Sequence, residues 1–547
     1  MSSMCHESSG LSYALANFRD DEYWVTVIVN AFYEKACEVA RSKIHPNFRH
    51  LVAGSAIANE AAYAAFKLAY PCFETTRIID QLRDRDYARL DKLDQVYLDY
   101  TGSGLYATSQ LRQHNTLLEE GVFGNPHSKN PTSLAMTHLV EQARSYVLQY
   151  FNASPDEYVA IFTPNASGAL KLVGEAFPFA PGGRYLPAYD NHNSVNGIRE
   201  YARTKGAKVK YMPTVQPELR FDDDALSAEL ADVQPGTFNL FAYPAQSNFS
   251  GVQHSLEWIE EAHTKGWYVL IDAAAFVPTN RLDLSKWKPD FVPLSFYKMF
   301  GYPTGVGCLL ARKEALVKLE RPWFAGGTIS ITSVQGEGWH YLLEGEAGFE
   351  DGTINFLNLP AIEIGLRHIN KIGIDTIHEW VSCLTGWLLD QMTAIRHSNG
   401  TPLVQIFGPT NMIDRGGTIS FSLNDPEGIR LDYRKVEALA NRENISLRTG
   451  CFCNPGTGEI VHNLNRDEMA QVFNRPEPMS FDYFFDWARS EHGRNPSTIR
   501  ISVGIATNFA DIYRFMNFLA SFVDKPEAAV QTVEVEYPIY NLMRDSA

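Results

Sequence analysis

The 547-residue chain reads as an α/β protein: a large sheet with helices on both faces, a smaller α+β domain after it, and a helical extension before it. Three observations predict this. From Val96 onward, short apolar runs alternate with longer stretches of helical spacing, as expected of strands buried on both faces. Near Phe356 that alternation gives way to a second arrangement, with strand-like segments at 417–422 and 498–502. Before Asp91 the apolar residues recur at helical rather than strand intervals.

In order along the chain, residues 1–90 form the extension, where Val25, Val27, Ile28, Ala31 and Phe32 share one helical face. Ala56, Ala61, Ala62, Ala65 and Phe66 share another. Residues 91–355 form the large domain, with strands expected at 158–162, 239–243, 268–271, 291–294 and 307–310. Residues 356–525 form the small domain, and 526–547 a tail.

Composition narrows the function classes. Forty-eight basic against 64 acidic residues give a formal charge of −16, which argues against nucleic acid or an anionic membrane as partner. No apolar run approaches the roughly 18 residues of a membrane span, and the N-terminus lacks the basic-then-apolar layout of a secretory signal. A cytoplasmic location is the resulting expectation. The seven cysteines are odd in number and scattered, unlike a disulfide framework, so free thiols are expected.

Chemistry concentrates at the strand ends. Lys298 follows the apolar run 291–294 and precedes Gly301, a placement suited to an amine that forms a Schiff base; Asp272 closes the strand 268–271. A pyridoxal phosphate enzyme needs both groups, an amine for the aldehyde and a carboxylate for the ring nitrogen. A buried Lys–Asp pair can also be a plain ion pair. After the strand ending at Phe162, the segment Thr163-Pro164-Asn165-Ala166-Ser167 opens a helix, whose free N–H groups suit a phosphate, although Asn-x-Ser also serves as an ordinary helix cap. Ser295 offers a second hydroxyl. His192 has a flat ring that could stack on a pyridine, or could be a loop histidine; Asn248 could bond the cofactor's ring oxygen, or could be a turn asparagine. Cys451 and Cys453 stand two apart with His462 downstream, but the spacing is narrow for a structural zinc site, and no metal is expected.

Eight motifs, in order, carry a family resemblance: Tyr97-Leu98-Asp99, Gly124-Asn125-Pro126-His127-Ser128, 163–170, 242–251, Asp272-Ala273-Ala274, the Lys298 segment, Phe349-Glu350-Asp351-Gly352-Thr353 and Arg448-Thr449-Gly450-Cys451-Phe452-Cys453-Asn454-Pro455-Gly456. Together they resemble class V aminotransferase-like enzymes, and most closely the cysteine desulfurase domain of molybdenum cofactor sulfurases, over roughly Val96 to Leu519.

The resemblance implies the pyridoxal phosphate-dependent transferase fold of type I, with a mixed, mostly parallel sheet, and pyridoxal 5'-phosphate as cofactor. It implies Lys298 as the Schiff-base residue, Asp272 beside the ring nitrogen, His192 on the ring face, Asn248 near the ring oxygen, and Ala166, Ser167 and Ser295 around the phosphate. It further implies Thr328 reaching a neighbouring subunit's cofactor in a homodimer, Arg500 on the substrate carboxylate and Cys453 as sulfur acceptor. The expected activity is transfer of sulfur from L-cysteine to Cys453 as a persulfide, with release of alanine and delivery to a further acceptor. The alternatives are a C–S β-lyase acting on cysteine conjugates, or another class V reaction such as epimerisation. Ala275 and Tyr297 stand where many cysteine desulfurases carry glutamine and histidine, and the 28 residues after Leu519 (547 − 519) are too few for the C-terminal domain common in that branch.

Overall fold

The computed structural model describes residues 56–531. The chain divides into two units, Met1–Glu74 and Thr75–Ala547. In the first, helix α1 (Ala56–Ala69) confirms the alanine-rich helical spacing, and Phe66 stands edge-on to Phe73 with ring centroids 4.7 Å apart. The face expected from Val25 to Phe32 lies outside the described residues.

In the second unit, seven strands form one sheet: β1 (Tyr158–Thr163), β2 (Arg184–Pro187), β3 (Lys208–Val209), β4 (Asn239–Pro244), β5 (Tyr268–Asp272), β6 (Phe291–Ser295) and β7 (Gly307–Arg312). Their order across the sheet is β1-β7-β6-β5-β4-β2-β3. Every pairing is parallel except the two made by β7, which runs against β1 and β6. The sheet is therefore mixed and mostly parallel, as expected. All five strands read from the sequence are present; β2 and β3 were not anticipated, because four and two residues are too few to show a period.

Proline in a central strand is unusual, since it brings no N–H to the ladder. Here its effect is visible. β6 pairs with β7 along its whole length, Pro293 included, but with β5 only at Leu270 opposite Phe291. Beyond that point β5 and β6 no longer pair, and their ends carry Asp272 and the approach to Lys298.

Six strands end at one edge of the sheet, where β7 begins. Helix α2 (Ala166–Ala176) starts there, directly after β1, with the Asn165 side chain accepting from the Gly168 N–H as its cap. Gly307, first in β7, allows this approach: a Cβ there would stand 2.4 Å from the Asn165 carbonyl carbon. Val159, Ile161, Leu170, Val173, Leu240 and Leu270 belong to one buried cluster that fixes α2 against the sheet.

The short helix α3 (Phe296–Phe300) carries Lys298 and ends on Gly301 at φ +77°. It is wedged between backbone and helix. A Cβ on Gly104 would meet the Lys298 carbonyl oxygen at 2.8 Å, and a Cβ on Gly365, in helix α4 (Pro360–Ile372), would meet the buried Phe300 ring at 2.2 Å.

The second sheet contains β10 (Val404–Phe407), β11 (Thr418–Leu423), β12 (Arg448–Thr449) and β13 (Ile499–Ser502) in the antiparallel order β10-β11-β13-β12. The strands at 417–422 and 498–502 are found within one residue of expectation. Between the two sheets in sequence lies a hairpin, β8 (Ile329–Thr332) and β9 (His340–Leu342), that the sequence did not announce.

Gly365→Ala is expected to destabilise the unit by about 1–3 kcal/mol, because the Phe300 ring has no room to yield. Chemical denaturation checks this, and an unchanged midpoint would show that α4 does not brace the Lys298 helix.

Candidate functional site

At the edge where the strands end, a cavity of about 420 Å³ is lined by Ala166, Ser167, His192, Asn248, Asp272, Ser295 and Lys298, seven of the residues singled out from the sequence. Each arrives on a different turn: Ala166 and Ser167 from the start of α2, His192 from the loop after β2, Asn248 after β4, Asp272 from the end of β5, Ser295 and Lys298 from β6 into α3. Ligand sites in open α/β sheets form at this edge.

The polar groups facing the cavity are unspent. Among the described residues, the Lys298 Nζ has no hydrogen-bond or ion-pair partner, and neither does the Ser295 hydroxyl. Asp272 uses one oxygen, Oδ1, to accept from the Ala274 N–H at 3.0 Å, leaving Oδ2 open. Burial pulls the Lys298 amine below its ordinary value; the Asp272 carboxylate opposes this, and the Arg500 and Arg448 guanidinium groups reinforce it. The charged form is thereby disfavoured relative to an ordinary lysine.

His192 caps a one-turn helix, Asn193–Asn196, its Nδ1 accepting from the Ser194 N–H at 3.1 Å. Nδ1 is thus unprotonated and the proton of the neutral ring sits on Nε2. Burial, with Lys298 and Arg500 adding to it against Asp272, lowers the His192 pKa and keeps the ring neutral. Ser194, which the sequence reading passed over, also shares a hydrogen bond of 2.6 Å with Ser167 at the helix start.

Asn248 lines the cavity but spends its amide elsewhere. Its Nδ2 donates to the Phe452 carbonyl at 2.8 Å, and its Oδ1 accepts from Asn454 Nδ2 at 2.9 Å. Asn454 also donates to the Asp190 carbonyl at 2.7 Å and caps helix α5 (Pro455–Val461), while the Asn193 N–H donates to the Cys453 carbonyl at 2.7 Å. These bonds clamp the backbone around Cys453 to the turns after β2 and β4. Phe452 and Cys453 both take left-handed conformations, φ +54° and +55°, within this clamp. The Cys453 side chain itself is exposed.

Arg500, from β13, is buried beside the same loop. Its Nη1 donates to the Asn248 carbonyl at 3.0 Å, its Nη2 to Asp99 at 2.9 Å, and its guanidinium lies 4.7 Å from the centroid of the Phe452 ring. Its Nε has no partner. Arg448 holds the other oxygen of Asp99, at 2.8 and 3.0 Å. Asp99 and Arg448 belong to motifs noted in the sequence, but nothing there showed one carboxylate shared by two guanidinium groups. Burial draws the Arg500 pKa down, and Asp99 resists.

Three residues singled out from the sequence do not line the cavity: Cys453 and Arg500, described above, and Thr328. Thr328 is buried, its hydroxyl donating to the Ala325 carbonyl at 2.8 Å and accepting from the Ala325 N–H, so within this chain it closes a turn. His462 accepts from Arg430 at Nδ1 and bonds the Thr498 hydroxyl at Nε2, 2.7 Å, so neither nitrogen faces the cysteine pair.

Comparison with known proteins places this geometry. The family model for class V aminotransferases matches residues 96–515. A molybdenum cofactor sulfurase of Solanum lycopersicum is 36% identical over 501 residues, covering 86% of this chain and 60% of its own length; that of Homo sapiens is 35% identical over 460 residues, covering 80% and 51%. The chain thus spans between half and three-fifths of these relatives. A cysteine desulfurase of Thermococcus onnurineus NA1 superposes with a TM-score of 0.65 at 23% identity, over 81% of this chain and 98% of its own. A cystine C–S lyase, solved with its product cysteine persulfide, gives 0.58 at 18%, over 78% and 98%. The structural likenesses carry the fold, type I among pyridoxal phosphate enzymes, and the family model carries the membership: this chain belongs to the class V aminotransferase family.

Proposed function

We propose that the chain is a pyridoxal 5'-phosphate-dependent sulfurtransferase, which takes sulfur from L-cysteine as a persulfide on Cys453 and releases alanine, in the manner of the molybdenum cofactor sulfurases it resembles. One observation carries this reading: an unpaired amine, an open carboxylate oxygen and a helix N-terminus face one cavity, with Cys453 and Arg500 in electrostatic reach of that amine.

The cavity is within the roughly 300–1,000 Å³ usual for such ligands, and its free groups match the cofactor's three ends. The start of α2 with Ser167, and Ser295, suit the phosphate; Asp272 Oδ2 suits a protonated ring nitrogen; Lys298 suits the aldehyde. When bound, the cofactor supplies that aldehyde and a ring that withdraws electrons from the substrate's Cα.

The remaining work falls to the chain. Asp272 holds the proton on the ring nitrogen, and the neutral His192 ring covers a flat face without adding charge. Asn248 acts as the clamp of the cysteine loop. Arg500, with a spare Nε, receives the substrate carboxylate, and Lys298, whose pKa burial lowers, takes the Cα proton at Nζ. The Cys453 thiolate attacks the substrate sulfur: an S–S bond forms, the Cβ–S bond breaks, and the carbon keeps the electron pair and is protonated to alanine. A C–S lyase reading rests on the likeness to the cystine lyase and leaves Cys453 dispensable.

A homodimer, formed through the β8–β9 hairpin, accompanies the proposal. Ile331, Val334, Trp339 and Tyr341 project from it at 63, 102, 63 and 73% exposure, an apolar patch of the kind that marks a contact surface. A second copy there would cover the segment that starts at Thr328. A cytoplasmic setting is also proposed; among the described residues, no helix is long and apolar enough to cross a membrane.

Lys298→Ala is expected to abolish borohydride-trapped cofactor on the chain, whereas Cys453→Ala should retain the trapped cofactor and lose sulfide release from cysteine by about 100-fold or more. Retained sulfide release by Cys453→Ala would establish the lyase. The Lys298 amine should react with acylating reagents, followed by peptide mapping, with a midpoint below the usual lysine value of about 10.4. Asp272→Asn, which removes the main opposing charge, should move that midpoint lower still; a rise would contradict the electrostatics. Val334→Asp with Trp339→Asp should convert a dimer to a monomer in sedimentation velocity, and an unchanged mass would remove the hairpin from the interface.

A further inference from the structure

One more amide lines the cavity. Gln246, only 3% exposed, follows β4 and pairs with Gln253 across the turn that carries Asn248.

The orientation of this amide traces back to a carbonyl that can only accept. The Phe276 carbonyl takes a hydrogen bond of 2.9 Å from the Asn280 side chain, so the atom it meets is Nδ2 and the other is Oδ1. Asn280 Oδ1 lies 3.0 Å from the Gln253 side chain, which must therefore present Nε2. The same Nε2 lies 3.0 Å from the Gln246 side chain, which must present Oε1. What is left is Gln246 Nε2, and it has no hydrogen-bond partner among the described residues. Gly416 admits the amide, since a Cβ there would stand 2.1 Å from Gln246 Oε1. A buried side chain bonded through its oxygen alone keeps two N–H groups in need of an acceptor.

The strand order says which acceptor suits them. In the order β1-β7-β6-β5-β4, the groups that suit a phosphate, at the start of α2 and at Ser295, belong to β1 and β6, on one side of β5. Gln246 belongs to β4, on the other side. The Ala245 N–H donates to the Asp272 carbonyl at 2.9 Å, so the β4–β5 pairing runs up to the residue before Gln246. In pyridoxal phosphate, the phosphate arm and the ring oxygen stand on opposite sides of the line from ring nitrogen to aldehyde. With the nitrogen at Asp272, the aldehyde at Lys298 and the arm toward β1 and β6, the oxygen falls toward β4.

Few donors compete there. Pro244 has none, and the Asn248 amide is spent on the cysteine loop. Ala274 and Ala275, beyond Asp272, add no side-chain donor. The hydroxyls of Tyr297 and Thr304 come from α3 and the segment after it, on the β6 side. His192 comes from the β4 side but is assigned to the ring face.

We propose, resting on the cofactor reading, that Gln246 is a cofactor-binding residue whose Nε2 donates to the ring oxygen, the part the resemblance gives to Asn248. Gln253 and Asn280 are positioning residues that keep its amide the right way round.

The test is a pH titration of the absorbance of the cofactor-loaded protein. Once the nitrogen joining Lys298 to the cofactor gives up its proton, the ring oxygen carries unshared negative charge, so a donor there favours the unprotonated form and lowers the midpoint. Gln246→Met, close in size and without a donor, should raise the midpoint by about one unit, and Gln246→Glu, which sets a negative acceptor there, by more. Asn280→Leu, away from the cavity, should raise it part of the way by freeing the relay. Asn248→Ala should move it less than Gln246→Met does. Asp272, His192, Arg448, Arg500 and Cys453, the other groups in electrostatic reach of Lys298, are kept in every variant. Equilibrium dialysis of pyridoxal phosphate should show binding weakened about tenfold in Gln246→Met. A native midpoint in both Gln246 variants, or a larger movement in Asn248→Ala than in Gln246→Met, would overturn the assignment of Gln246. A native midpoint in Asn280→Leu would strike the positioning role. A native chain that gains no absorbance with pyridoxal phosphate would instead remove the cofactor reading, and this proposal with it.

Discussion

A half-buried amine that faces a cavity without a partner is the constraint on which this structure turns. Lys298 sits on a five-residue helix at the rim of a mostly parallel sheet, and burial outweighs the pull of Asp272 on its proton. A closer Asp272 would make a simple ion pair and end the amine's usefulness. Pro293 helps to set the separation. By withholding one N–H it ends the β5–β6 ladder early, and the strands that deliver acid and amine reach the edge without pairing. The remaining glycine contacts, at 104, 307 and 365, let the neighbouring segments close around that rim.

The loop bearing Cys453 is governed by a second principle, in which side-chain amides take the place of a ladder. The Asn248 amide and the Asn193 N–H satisfy the carbonyls of its two consecutive left-handed residues, and the Asn454 amide ties the loop back to Asn248 and to the Asp190 carbonyl. The backbone is thus fixed while the thiol stays exposed. Such an arrangement presents a nucleophile reproducibly, and it couples the sulfur's position to the same loop that carries His192.

Much of the cavity was legible in advance because each contributing residue closes a recognisable local pattern: an apolar run, then a single polar residue, then a glycine or a helix start. Lys298, Asp272 and Ser167 all obey this grammar. Asn248 obeys it too, yet its amide turns to the cysteine loop, since a partner 204 residues away in sequence leaves no local trace. For the same reason Asp99 with Arg448 and Arg500, and Ser194 with Ser167, emerged only from the structure. The β8–β9 hairpin was missed for a different reason. Its strands span only four and three residues, so even the alternation of Ile329-Ser330-Ile331-Thr332 is too short to register as a period.

The corner formed by Asp99, Arg448 and Arg500 has one implication for what can enter. Two cations and one anion leave a single unit of positive charge around a guanidinium that is almost wholly enclosed. A guest bearing one acidic group restores neutrality there, whereas a diacid would bring surplus negative charge into a region short of solvent to disperse it. For the substrate class proposed above, this ion balance would favour a small amino acid over its acidic counterpart before any side-chain fit is considered.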